Sequence, residues 1–146
     1  MTRRLCCAVI AALTLAVPAS AHHSFSGQFD TSRAVTLHGV VASVEMVNPH
    51  SFIYLDVKTD AGVERYALEG PAPLQFQRRG LPLTLIKVGD ELGTCGYLAK
   101  TDVVQTRTEP GTARDARKLS AAVLIMPAGE KLVWSNYRQE KCGLDK

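Results

Sequence analysis

Apolar residues are distributed along this chain in two ways: one almost continuous run from Leu5 to Val17, and a series of short runs after residue 34. The clearest short run is Phe52 to Lys58, where Ile53, Leu55 and Val57 alternate with Tyr54, Asp56 and Lys58. That period of two predicts a strand with one buried face. Before it, Val35, Leu37, Val40, Val41, Val44, Met46 and Val47 form a β-branched stretch long enough for one bent or bulged strand, with Gly39 as the natural bend. Asn48-Pro49-His50 then turns the chain. Asp60-Ala61-Gly62 supplies a hairpin turn, and Val63 to Glu69 is the return strand.

Gly70-Pro71-Ala72-Pro73 interrupts the strand pattern, and the apolar pair Leu74 and Phe76 predicts a short helix from about Leu74 to Arg79, stopped by Gly80. Its cations, Arg78 and Arg79, fall at the end that favours positive charge. After Gly89-Asp90, Glu91 to Ala99 reads as a strand, and residues 100 to 117, polar and containing Pro110-Gly111, as the longest loop. Lys118 to Met126 and Lys131 to Trp134 form a final pair around Pro127-Ala128-Gly129. Five or six strands with one short helix between the third and fourth predict a mainly β domain. Its expected form is a small OB-like Greek-key barrel, with a two-sheet β-sandwich as the alternative.

The long apolar run belongs to a different kind of segment. Thr2-Arg3-Arg4 precedes it and Pro18-Ala19-Ser20-Ala21 follows it, the order of a secretory signal peptide with a small-residue cleavage site. The run is shorter than the roughly 20 residues that span a bilayer comfortably. The expected organisation is therefore a signal peptide over 1–21, an arm over 22–33, the β-barrel over 34–134 and a tail over 135–146. Export places the mature protein in the bacterial periplasm or outside the cell. Cleavage leaves about 125 residues, one domain's worth. It also removes Arg3 and Arg4, lowering the formal charge from +3 to about +1. With no basic stripe left, nucleic acid is not an expected partner, and no electrostatic case for a membrane surface survives.

Cleavage also removes Cys6 and Cys7, leaving Cys95 and Cys142. A lone pair in an oxidising compartment predicts a structural disulfide that pins the tail to a strand. The rival reading is a soft metal site, for which the cysteines lack close C-x-x-C spacing.

Several segments together carry a resemblance. They are His22-His23-Ser24-Phe25 with Phe29-Asp30, then Val47-Asn48-Pro49-His50 ahead of Tyr54-Leu55-Asp56-Val57, the Arg78-Arg79-Gly80 turn, and Val88-Gly89-Asp90 leading to Gly96-Tyr97. The chain resembles a family of small exported bacterial proteins catalogued as a domain of unknown function, over most of residues 22 to 100 and more loosely over 116 to 134. The stretch around 100 to 115 and the Cys142 tail depart from the pattern. The resemblance implies export and a small β-fold, and leaves the chemistry open.

Chemistry is suggested by the histidines, His22, His23, His38 and His50. Cleavage before His22 frees an α-amine beside an imidazole, and the two chelate one metal ion; a further imidazole would complete a T-shaped copper site. His50, on a turn after Pro49, is the expected third ligand; His38, in mid-strand, faces either side. Asp30 or Asp56 is a candidate to orient a ligand histidine from behind. The bland readings are a solvated His-His terminus and a His50 that bonds nearby backbone.

Catalytic patterns are weaker. Ser24, His50 and Asp56 include the residue types of a hydrolase triad without a nucleophile elbow. Glu45 and Glu69 make an acidic pair such as any β-domain offers, and Phe52, Tyr54, Trp134 and Tyr137 are candidates to line a groove but suit packing equally. The leading expectation is a periplasmic protein that binds copper or another transition metal through His22, His23 and His50. The alternative is a non-enzymatic OB-like binding or adaptor module for a small molecule or a periplasmic protein, with the histidines incidental. A copper oxidoreductase stands third.

Overall fold

The computed structural model describes residues 25–105, 115–135 and 139–143. The expected signal peptide, His22, His23, Ser24 and Tyr137 lie outside the described residues. Within them the chain forms a helical turn α1 (Phe25–Gln28), strands β1 (Val35–Glu45), β2 (Phe52–Thr59) and β3 (Gly62–Glu69), and helix α2 (Pro73–Arg78). Strands β4 (Glu91–Gln105), β5 (Asp115–Ile125) and β6 (Lys131–Val133) follow, then a 3-10 turn at Gln139–Cys142.

The strands close on themselves. β1 pairs through Val35–Val40 with β4 and through Val40–Glu45 with β2, so one long strand serves two neighbours. β2 and β3 form the expected hairpin, from Thr59↔Gly62 back to Phe52↔Glu69. β3 meets β5 in parallel, Tyr66–Glu69 against Arg117–Ser120, and β5 returns antiparallel to β4. The ring β1-β2-β3-β5-β4 is thus a five-stranded barrel, and β6 extends it as a sixth strand on β5. With α2 between β3 and β4, this is the OB-like architecture expected; the closing seam excludes the sandwich.

The predicted inward face of β2 is the core. Ile53, Leu55 and Val57 pack with Val41, Leu68, Leu119, Leu124 and Trp134, burial that at about 25 cal/mol per Å² of apolar surface is the main force holding the barrel closed. Tyr54, expected on the polar side, is instead 1% exposed, covered by Ala67 and Ala116 on the other face of the hairpin. The cause is a longer ribbon than the polar sequence suggested. β4 continues to Gln105 and β5 begins at Asp115, with Val103–Gln105 paired to Asp115–Arg117, so much of the expected loop over 100–117 is strand.

The first strand is irregular between Val41 and Ser43, two residues beyond Gly39. Gly39 has a different role: a side chain there would run into the carbonyl of Asp56 and the Leu55 side chain, so the glycine permits the close approach of β1 to β2.

Both ends of the described chain are tied to the barrel. Phe25 stacks on Phe29 with ring centroids 4.9 Å apart and meets Tyr97 edge-on at 5.9 Å. Phe29 is buried and bridges to Ala99, and the Asp30 amide donates to the Leu98 carbonyl. The described part of the arm is therefore a helical turn docked on the barrel. Cys95 and Cys142 form the expected disulfide, which brings the 3-10 turn against β4 and β5.

Candidate functional site

The cleft of interest forms where two loops are zipped side by side. Beyond the Phe52↔Glu69 pair, the Ser51 amide donates to the Pro71 carbonyl at 3.2 Å and the Gly70 amide to the Ser51 carbonyl at 2.9 Å. The ladder thus continues into Asn48-Pro49-His50, where the Asn48–Pro49 peptide is cis, and into Gly70-Pro71-Ala72. Pro73 then opens α2, where its missing amide proton costs no helical hydrogen bond.

Behind the loops, Phe76 of α2 packs on Trp134 at 4.3 Å between centroids. The indole lies flush against Gly70, where a Cβ would collide with its nitrogen. Trp134 Nε1 and Ser51 Oγ are both buried without a hydrogen-bond partner among the described residues.

The resulting cleft has a volume of about 520 Å³. Its walls include Phe25 and Phe29 from the arm, His50 from the turn, Glu69 from the end of β3 and Arg79 from the end of α2. His50 is half-exposed, and its Nδ1 lies 3.4 Å from Glu69 Oε1. The other carboxylate oxygen of Glu69 lies 3.0 Å from Lys118 Nζ, and both of these side chains are about 15% exposed. Lys118 Nζ also lies over the Phe29 ring, 5.5 Å from its centroid. Arm, turn and barrel wall thus meet around one cation.

The remaining site expectations separate. His38 is exposed and lines a second cleft of about 640 Å³, with Asp56, Lys58 and Glu91, so it does not share a cleft with His50. Asp56 is committed to Arg65, whose Nε and Nη2 donate to its two oxygens at 2.6 and 2.8 Å. This pairing raises the Arg65 pKa. Asp30 accepts from the hydroxyl and amide of Ser32 at 2.6 and 3.0 Å, which hold its carboxyl below the usual range. Neither aspartate stands behind His50; Glu69 does. Trp134 and Tyr54 are 2% and 1% exposed, which makes them packing residues.

Glu69 was legible in principle. Counting back along the hairpin from Asp60-Ala61 sets Phe52 opposite Glu69 and carries His50 to the same end. Lys118 was not, because its approach to Glu69 depends on the parallel β3–β5 seam. Among the described residues, no three His, Cys, Asp or Glu side chains are grouped to hold a metal ion.

No helix among the described residues is long and apolar enough to cross a membrane. No curated protein matches the chain in sequence. Among solved structures, the chain is similar to a small single-stranded DNA-binding protein from Streptomyces coelicolor at 19% identity, covering 62% of this chain and 88% of that one with a TM-score of 0.39. A family model matches residues 10–107, and the chain belongs to that family, the family of unknown function DUF6152.

Proposed function

We propose that this protein is exported after cleavage behind Ala21 and binds one transition-metal ion, copper before others, through His22, His23 and His50. The observation that carries this reading is that Phe25, three residues from His22, lines the same cleft as His50. Three extended residues reach about 10 Å at most. The docked Phe25 therefore keeps the new terminus within range of the cleft.

The donors suit the ion. Neutral imidazoles favour copper, zinc and nickel, and an amino-terminal histidine adds an amine to its own imidazole in one chelate ring. His50 is half-exposed and offers a further nitrogen without first being dug out of a core. The reading makes the protein a metal carrier or sensor of the periplasm. Nucleic acid is not its ligand, in keeping with a mature charge near +1.

The test is a Cu(II) titration of protein starting at His22, followed by calorimetry and electron paramagnetic resonance, beside a copy extended by one alanine. Tight one-to-one binding with nitrogen coupling, lost on extension and weakened by His50→Ala, is expected. Equal weak binding to both copies would overturn the reading in favour of an adaptor module. Amino-terminal sequencing of the exported protein checks the cleavage, with His22 as the expected first residue.

A further inference from the structure

Resting on the metal reading, we infer that Glu69 and Lys118 are positioning residues that hold His50 with its proton on Nδ1, present Nε2 as the donor, and register the arm against it. A carboxylate accepts hydrogen bonds and cannot give one, so a neutral imidazole whose Nδ1 faces Glu69 Oε1 places its proton there. The other ring nitrogen, Nε2, then carries the lone pair that a metal needs. The 3.4 Å separation lies just beyond ordinary hydrogen-bond length, so the carboxylate acts on the ring chiefly through its charge, which favours the tautomer that turns an N–H toward it.

Lys118 supplies what Glu69 alone lacks. Its ammonium lies 3.0 Å from Glu69 Oε2, so one carboxylate oxygen is engaged and the other is directed to His50. The same ammonium lies over Phe29, which stacks on Phe25, the first described residue of the arm. One side chain on β5 thus contacts both halves of the site: the carboxylate that orients His50 and the ring that anchors the approach to His22. The geometry is set by the barrel, since Glu69 and Lys118 lie on strands paired in parallel, Glu69↔Ser120 and Ala67↔Lys118. Such partners behind a ligand histidine are typically worth 10–100-fold in metal affinity.

The experiment reads the His50 tautomer directly in the metal-free full mature chain, by long-range nitrogen-15 correlation spectroscopy near pH 8. Wild-type protein is expected to show Nδ1 protonated. Glu69→Gln and Lys118→Met are each expected to shift His50 toward the Nε2-protonated form, and the double variant no further than the stronger single one. Unchanged circular dichroism establishes that each variant is folded. In copper titrations the same variants should bind 10–100-fold more weakly, with altered nitrogen hyperfine splitting.

A wild-type His50 protonated on Nε2, or a tautomer indifferent to both variants, would overturn the inference. Because the tautomer is read without metal, a wild-type protein that shows it and fails to bind copper overturns the metal reading and leaves the positioning role standing.

Discussion

Lys141 donates from its ammonium to the carbonyl oxygens of Thr31 and Ser32, at 2.9 and 3.0 Å. The residue beside one half of the disulfide therefore holds the arm that leads to the cleft. Replacing both Cys95 and Cys142 by serine should destabilise the protein by about 2–5 kcal/mol, read as a lower midpoint in urea. Lys141→Met should cost only about 1 kcal/mol, since the bonds it loses are exposed. Its distinctive effect is local: faster amide exchange over residues 25–32, with the barrel unchanged.

Phe25 is the last described anchor before the histidines. Phe25→Ala removes the stacked contact with Phe29 and the edge contact with Tyr97, worth about 1 kcal/mol each. On the proposed metal reading, copper affinity should fall about tenfold, because the terminus must then be ordered at the moment of binding. A global stability change with unaltered affinity would count against the docked arm as the source of organisation.

Gly70→Ala should cost about 1–3 kcal/mol, because the new methyl group and the Trp134 indole would occupy the same space. Trp134 is the chain's single tryptophan. A shifted emission maximum and a lower denaturation midpoint are expected together. An unchanged spectrum would show that the indole does not press on this turn.

The arm should loosen in acid. Asp30 has its carboxyl held below its ordinary value of 3.8, chiefly by the Ser32 hydroxyl and then by the Ser32 amide. A depressed pKa in the folded state adds stability above the ordinary value and loses it as pH falls through the folded value. Amide shifts of Ser32 and Arg33 followed downward from pH 5 should therefore move together at a midpoint below 3.8. Asp30→Asn should abolish that transition.

The barrel was largely legible because its strands carry their own pattern. Ile53, Leu55 and Val57 alternate, the turn after Asp60 defines the hairpin, and Pro73 opens α2. The ribbon over Val103–Gln105 and Asp115–Arg117 was not, since Val103, Val104 and Ala116 stand among polar residues without the alternation that marks a strand. The site divides in the same way. His50 stood out as a turn histidine, while Glu69 and Lys118 acquire their meaning only when β3 and β5 lie side by side. Side-chain type marks a candidate; what stands behind it depends on topology.

The parallel seam is also one of the long-range encounters that set how fast the fold forms. Leu68 must find Leu119 before the barrel exists, a long-range encounter of the kind that puts β-barrels in the millisecond-to-second range of folding times. The Cys95–Cys142 bridge does not shorten the search: the route from Leu68 to Leu119 through the bridge is about as long as the route along the chain. The loop-closure entropy of this contact is thus nearly the same with the bridge intact or broken. Reduction should accelerate unfolding while leaving the rate of barrel closure almost untouched, so the bridge acts on the lifetime of the native state and leaves its birth to the strands.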